Sequence, residues 1–458
     1  MKDVGLVLLL LWTSLSLSAQ GISGQWNGVL KVPGAQLKLV FHISETAEGY
    51  SSTMDSPDQG AFGIPVTATT FAGSVLKLEI PNAGITYEGT LEGTDSIVGT
   101  FRQGGQSFPL ILTTGAVEKA EVVRPQEPVP PFPYDAEEVT FSNEQDGVEL
   151  AGTLTLPRGD GVFPAVVLIS GSGPQNRDEE LFEHKPFWVL ADFLTRNGIA
   201  VLRFDDRGVG ASTGDFAKAT TFDFARDVEA AVDFLKTREG VNPKEIGLIG
   251  HSEGGVIAPM VASERADIGF IVLMAGSALR GDQLLLLQKA TIEAQMGVPP
   301  QMIEYNQQIM GGAYEIVLNE QLDQEIIADS LSGYFQEKYG VMLPEEQRMA
   351  LVDQLSSPWM INFVRLDPAV YLSEVQCPLL ALNGSKDLQV PSKENLDVIT
   401  RMAEEHPEKQ IITMELEGLN HLFQECETGA VSEYGTIEQT IAPIALETML
   451  SWIMVWVE

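Results

Sequence analysis

Residues 245–262 read EIGLIGHSEGGVIAPMVA, and how this stretch folds decides the architecture around it. Ile246–Ile249 is a short apolar run of strand type, and Gly254–Ala262 is apolar throughout, as a buried helix is. Between them Ser252 stands in a glycine-flanked turn. A strand that turns this sharply into a helix presents the turn residue above the sheet, and glycines permit the strained backbone and the close helix–strand approach. Ser252 is therefore a candidate nucleophile. The same G-x-S-x-G spacing recurs at Gly210-Ala211-Ser212-Thr213-Gly214. There the serine lies several residues past its strand, in the loop DDRGVGASTG, with FAKATTF behind it. Ser212 is read as a loop serine.

Outward from this turn, runs rich in Val, Ile and Leu recur at 164–170 (PAVVLIS), 199–204 (IAVLRF), 270–276 (FIVLMAG), 378–384 (PLLALNG) and 410–416 (QIITMEL). They alternate with segments of helical period such as TTFDFARDVEAAVDFLKTRE (220–239). Buried strands alternating with amphipathic helices predict an α/β domain over 135–458, with a mostly parallel sheet covered on both faces. One stretch breaks the alternation. Residues 277–372 carry helical patterns (QLLLLQKATIEAQMG, QMIEYNQQIMGGAYEIVL, PEEQRMALVDQL) and are read as an inserted helical cap. Within it Met296, Met302, Met310 and Trp359 are candidates for the pocket wall, against the plainer reading of cap core.

The first part of the chain has a different grammar. Residues 22–115 alternate apolar and polar residues between glycine turns, as in QLKLVFHIS and SVLKLEIP, which predicts a small all-β domain, barrel or sandwich. Residues 116–134 contain RPQEPVPPFPY and are read as a semi-rigid linker. Residues 1–19 carry one Lys, an apolar run from Val4 to Leu17 and a small-residue end at Ala19: a signal peptide, too short for a comfortable span. Export to the periplasm or the medium, without a stable membrane anchor, is the expectation. The length of 458 residues suits two or three domains at ~150 residues each. With 28 Lys+Arg against 64 Asp+Glu, the net charge of −36 repels nucleic acid and anionic membranes. Two cysteines, Cys377 and Cys426, make neither a disulfide framework nor a zinc site and are read as free.

A serine nucleophile needs a base, and the chain has five histidines. His42 lies in the β domain, and His251 adjoins Ser252 with its ring directed elsewhere. His406 precedes the strand at 410–416, the wrong end of the sheet. His184 follows the loop GSGPQNRD and is placed on a helix. His421, in EGLNHLF, lies just beyond the carboxyl end of the last strand, where ligands and catalytic groups gather in such sheets. Asp387, in NGSKDLQVP, follows the preceding strand at the same end, against the plainer reading of a solvated aspartate beside Lys386. Ser252, Asp387 and His421 then form a triad in the chain order this architecture uses. The oxyanion would be held by backbone N–H groups of Glu253 and of the loop GSGPQNRD, with Ser172 as donor and Gly171 or Gly173 as alternatives.

The motifs GSGPQNRD, RFDDRGVGASTGDF, GHSEGGVIAPM, LNGSKDLQVP and LNHLF together resemble the α/β-hydrolase superfamily, and within it secreted bacterial carboxylesterases of the serine aminopeptidase-like branch. The resemblance spans about Asp135 to the C-terminus. It implies the α/β-hydrolase fold, with Asp205, Asp206 and Arg207 in a structural loop beside the site. It also implies hydrolysis of short-chain acyl esters, a small-molecule ester substrate, and no metal or organic cofactor. A peptidase would use the same triad. A glycan-directed acetyl or feruloyl esterase is a further alternative, and a coenzyme A thioesterase is disfavoured because its substrate is anionic. For the β domain a structural or positioning role is expected, against glycan binding.

Overall fold

The computed structural model describes residues 21–457, except 33–34, 47–48, 58–60, 104–105, 117–123 and 341–342. The signal peptide read over residues 1–19 lies outside them. The chain divides into two compact units, residues 1–121 and 122–458.

The first unit is a closed antiparallel barrel of eight strands in sequence order: β1 (Gly24–Val32), β2 (Ala35–Thr46), β3 (Gly49–Ser56), β4 (Ala61–Ala72), β5 (Val75–Ile80), β6 (Ile85–Glu92), β7 (Ser96–Gln103) and β8 (Gln106–Thr113). Closure comes from β1 meeting β8 at Asn27 and Thr113. Along β5 the alternation is plain: Leu76, Leu78 and Ile80 point inward while Lys77 and Glu79 face water. Trp26, Phe41, Tyr87 and Phe101 fill the interior, as side chains do in a barrel of this strand number. Gly89 and Gly99 make room for the Tyr87 ring, whose hydroxyl donates to the Ile97 carbonyl at 3.1 Å.

The second unit carries an eight-stranded sheet. Its strands are β9 (Asp135–Asn143), β10 (Val148–Leu156), β11 (Phe163–Ile169), β12 (Ala200–Phe204), β13 (Val241–His251), β14 (Phe270–Met274), β15 (Leu379–Gly384) and β16 (Ile411–Leu416). They lie in the order β9-β10-β12-β11-β13-β14-β15-β16. β10 runs antiparallel to both of its neighbours, and all pairs from β12 to β16 are parallel. β12, β14 and β15 are buried along their whole length because helices cover both faces. One face packs under α1 (Pro186–Arg196) and α12 (Pro443–Ile453). The other packs under α2 (Thr221–Lys236), α3 (Gly254–Glu264), α9 (Pro368–Glu374) and α10 (Ser392–Glu405).

Between β14 and β15 the chain leaves the sheet as α4 (Gly281–Gln295), α5 (Pro300–Leu318), α6 (Gln324–Tyr339), α7 (Glu345–Leu355) and α8 (Pro358–Arg365), returning through α9. These helices have an apolar core of their own, including Ile309, Val317, Leu331, Phe335 and Val352.

Two sequence readings change here. Of the linker read over 116–134, residues 117–123 lie outside the description, and from Arg124 the chain is packed into the second unit. The buried Arg124 guanidinium donates to the carbonyls of Phe182, Glu183, Gly435 and Ile437. Four of its five N–H donors satisfy loop carbonyls that have no helix or sheet partner, which ties the stretch down. His184, expected on a helix, pairs instead with Leu181 in an isolated bridge ahead of α1. Pro186 at the first position of α1 sets the helix start beyond it.

Candidate active site

The turn between β13 and α3 holds Ser252 at φ +53°, a left-handed conformation that costs a non-glycine residue ~1–3 kcal/mol and clusters at functional sites. Its own N–H donates to the Met274 carbonyl at 2.9 Å, which holds the strained residue to the neighbouring strand. The flanking glycines answer to close approach. A Cβ at Gly250 would lie 2.0 Å from the Gly254 carbonyl oxygen, and one at Gly254 would lie 2.1 Å from the Ile169 oxygen. Both obstacles are backbone, so neither can yield.

Asp387 follows β15 and His421 follows β16, at the same carboxyl ends of the parallel strands as Ser252. The structure brings the two together: His421 Nδ1 lies 2.7 Å from Asp387 Oδ2, with both side chains buried. The other Asp387 oxygen accepts the N–H groups of Gln389 (2.8 Å) and Val390 (2.9 Å), so the carboxylate is aimed by its own turn. The His421 loop is closed by Asn420, whose side-chain oxygen accepts from Leu422 and Gln424 N–H.

The loop after β11 comes against the serine: a Cβ at Gly171 would be 3.2 Å from Ser252 Cβ. Gly171 itself is excluded as an oxyanion donor because its N–H is committed to Glu179 Oε1 at 2.7 Å. Ser172 lines the same cavity as Ser252 and Glu253. Glu253 stands at the N-terminus of α3, where helix N–H groups lack intrahelical acceptors and the dipole favours negative charge.

The carboxyl side chain of Glu253 is buried, and its Oε1 accepts from Thr221 Oγ1 (2.6 Å) and from Trp359 Nε1 of α8 (2.8 Å). Burial raises its pKa, and those two hydrogen bonds only partly oppose the rise. Asp206 is likewise buried and pushed up to about 8, with the charges of Glu253 and Glu179 adding to the rise. It accepts from Ser170 Oγ (2.7 Å) and Gln175 N–H (2.9 Å) and so shapes the loop after β11. Its neighbours are anchors too: Asp205 pairs with Arg177 at 2.8 Å, and Arg207 with Asp227 at 2.7 Å.

A cavity of about 220 Å³ opens beside Ser252, walled by Leu284, Leu285, Trp359, Met360, Phe363 and Val390, with Gln288, Gln354 and Gln389 as polar lining. Trp359 stacks on Phe363 at 4.9 Å between ring centroids. The other cap residues singled out from the sequence do not line it. Met296 and Met302 are exposed, and Met310 packs on the cap's own core. Helical period alone cannot say which face of a cap helix looks down on the sheet. A larger open cleft of about 520 Å³ lies on the flank of α2 and does not include Ser252; there Arg226 is engaged with Asp146 and Asp223.

The remaining histidines separate cleanly. His184 is buried between Thr440 and the Tyr434 carbonyl, and burial lowers its pKa to about 4. His406 is exposed and His42 pairs with Asp55 in the barrel. Cys377 and Cys426 are free, and burial drives the Cys377 thiol to about 12, far from a reactive thiolate. Sequence reasoning missed Glu179, which reaches both Gly171 and His251, and the Trp359–Glu253 contact. No spacing in the sequence marks either one.

Residues 185–331 match the model of a family described as serine aminopeptidase, S33. Among curated proteins the chain is similar to esterase EstD of Thermotoga maritima, 26% identical over 267 residues, which cover 57% of this chain and 59% of that one. It is also similar to thiohydrolase aneE of Aspergillus aculeatus, 35% identical over 131 residues, covering 27% of this chain and 38% of the other. The chain thus spans less than two thirds of the length of these relatives. Among solved structures, an esterase of Pyrococcus furiosus, Pf2001, matches 71% of this chain and 94% of its own at 19% identity and a TM-score of 0.42.

Proposed function

We propose that this chain, which from Asp135 onward is an α/β hydrolase, cleaves carboxylic esters of small acyl groups through a covalent acyl-serine. The observation that carries the reading is the His421–Asp387 pair at 2.7 Å, placed at the same sheet end as a serine held at φ +53°. In this mechanism Asp387 fixes the His421 tautomer with the proton on Nδ1, which leaves Nε2 to take the Ser252 proton. Ser252 attacks the ester carbonyl, and the N–H groups of Glu253 and Ser172 hold the oxyanion. His421 then protonates the departing alcohol, and activates the water that releases the acid.

Two features support a small ester over a peptide. An aminopeptidase must hold a free α-ammonium with a fixed carboxylate. The carboxyl lining this cavity belongs to Glu253, whose Oε1 already accepts two hydrogen bonds and whose pKa is raised by burial. A carboxyl held toward its neutral form is a poor ammonium clamp. The cavity of about 220 Å³ also falls below the ~300–1,000 Å³ usual for drug-sized ligands, which suits a short acyl chain.

The test is a paired panel of p-nitrophenyl esters, acetyl to decanoyl, and aminoacyl p-nitroanilides, with methyl ferulate alongside. Acetyl to hexanoyl esters are expected to be fastest. Anilide hydrolysis with comparable kcat/KM would overturn the ester reading and leave the triad in place. Export belongs to the same proposal: a mature chain beginning at Gln20, read by N-terminal sequencing, is the expected product.

A further inference from the structure

Beside His421–Asp387 the fold builds a second histidine–carboxylate pair that takes no part in the chemistry described above. His251 Nδ1 lies 2.9 Å from Glu179 Oε1, and His251 Nε2 lies 3.0 Å from the carbonyl oxygen of His421. Both residues are buried, and the two imidazole rings are 4.8 Å apart. The same Glu179 oxygen accepts the Gly171 N–H at 2.7 Å, one residue before Ser172. A single carboxylate oxygen therefore touches the oxyanion loop directly and the base loop through one imidazole. Glu179 reaches this position from a left-handed backbone, φ +50°, and two further left-handed residues, Phe182 and Glu183, offer their carbonyls to Arg124. Strain repeated over so short a stretch and clamped by a buried arginine marks a conformation held for a purpose.

The protonation follows from the partners. Both His251 nitrogens face oxygen acceptors, a carboxylate on one side and a carbonyl on the other, so both contacts are attractive only when a proton lies on each. We infer that Glu179 and His251 form a buried ion pair that positions the catalytic base His421 and the oxyanion loop together. They are positioning residues, because neither touches the reacting atoms. The charged groups around His251 are consistent with this: Glu179 lies on the β11 side, and Asp387 and His421 lie on the loops after β15 and β16. Burial pulls the His251 pKa down, but the Glu179 carboxylate and the hydrogen bonds reverse this and leave it above the ordinary value. The pair therefore comes apart only as pH rises past the value at which an ordinary imidazole loses its proton.

The inference rests on the serine-hydrolase reading, and its test is chosen to separate the two. The rate of Ser252 labelling by a fluorophosphonate probe is followed from about pH 5 to about pH 10, where it reports the catalytic machinery without regard to the natural substrate. Wild type, Glu179→Gln, Glu179→Asp, His251→Gln and the double Gln variant are compared, with melting temperature and with kcat and KM for p-nitrophenyl acetate. Glu179→Gln should lower the labelling rate and kcat on the order of 10²-fold, with KM nearly unchanged, through misplacement of the base and donors. Its alkaline limb should move to lower pH, because burial is then opposed only by the His421 carbonyl and the Asp387 charge. Glu179→Asp should recover part of the rate, and the double variant should be no slower than the worse single variant, as members of one unit behave. Additive losses, an unshifted alkaline limb or an unaltered labelling rate would overturn the inference. Should Glu179→Gln not fold, His251→Gln carries the same decision: it keeps a donor for the His421 carbonyl but cannot titrate, so a surviving wild-type alkaline limb refutes the pair. Labelling without ester cleavage would defeat the ester reading and leave this inference standing. A wild-type protein that is not labelled overturns both.

Discussion

Ser252 and Ser212 sit in the same five-residue spacing, and the folded chain treats them in opposite ways. At Gly250–Gly254 the glycines are there because two backbones meet; a Cβ on either would strike a carbonyl oxygen. At Gly210–Gly214 they are there because the chain turns through φ +55° and +107°. Ser252 sits between a strand and a helix, facing a cavity. Ser212 is buried, its hydroxyl donating to the Asp205 carbonyl at 2.7 Å and accepting the Ala151 N–H at 2.9 Å. A hydroxyl with both roles taken holds a loop together. The loop it holds carries Asp206, which in turn shapes the segment leading to Ser172. One copy of the pattern thus opens onto the cavity, and the other belongs to the frame around it.

The comparison breaks most visibly at Ser252. Ser252→Ala should remove fluorophosphonate labelling and lower ester kcat on the order of 10⁶-fold, as loss of a nucleophile does, with the melting temperature held. Persistent labelling of that variant, located by peptide mapping, would shift the nucleophile to another serine. Ser212→Ala tests the other half. It strips a buried N–H and a buried carbonyl of their partner, so it should cost about 1–3 kcal/mol in denaturant unfolding. The labelling rate of the folded variant should match wild type, and a rate fallen as far as that of Ser252→Ala would erase the distinction drawn between them.

The smallest effect concerns the charge beneath the loop. Asp206 has a folded pKa of about 8, well above that of an unfolded aspartate. Its contribution is therefore fully present below the unfolded value and is lost as pH rises through about 8. Above about pH 7 the opposing group, His184 with its pKa lowered to about 4, is largely neutral in both states. Between about pH 7 and about pH 8.5 Asp206 should lower the wild-type unfolding free energy by on the order of 1 kcal/mol, and Asp206→Asn should make the slope shallower by that amount, leaving the share that His251 contributes. Equal slopes in the two proteins would remove Asp206 as its source.

Much of this was legible from local pattern. The runs at 164–170, 199–204, 270–276 and 378–384 are strands in the structure and are buried nearly throughout, as cover on two faces demands, whereas 410–416 is an edge strand with Ile412 and Met414 exposed. The cap's helices follow from their period in the same way. The antiparallel edge of the sheet was not read. β9 is exposed at alternate positions, like a strand of any small β domain, and nothing local says that it continues the parallel sheet through β10. The N-terminal domain was left as barrel or sandwich, because closure rests on β1 meeting β8 across the whole domain. Met296 and Met302 stood out by residue type and turned out to be exposed, while Trp359 reached the cavity.

What the sequence determined by itself is what covalent neighbours can dictate: the glycine-flanked turn at Ser252, the alternation of strand and helix, and the placing of Asp387 and His421 just past apolar strands. Chain order and strand direction then bring those three to one end of the sheet. Tertiary structure alone decided the contacts between segments that share no period and no spacing. His421 meets Asp387 across 34 residues, Trp359 meets Glu253 across 106, and Glu179 meets His251 across 72. Each joins a loop to another loop or to a cap helix, where conformation is set by what surrounds the segment rather than by its own propensity. A buried carboxyl needs a donor wherever the fold happens to supply one, and that requirement leaves no mark in the sequence until the chain has closed around it.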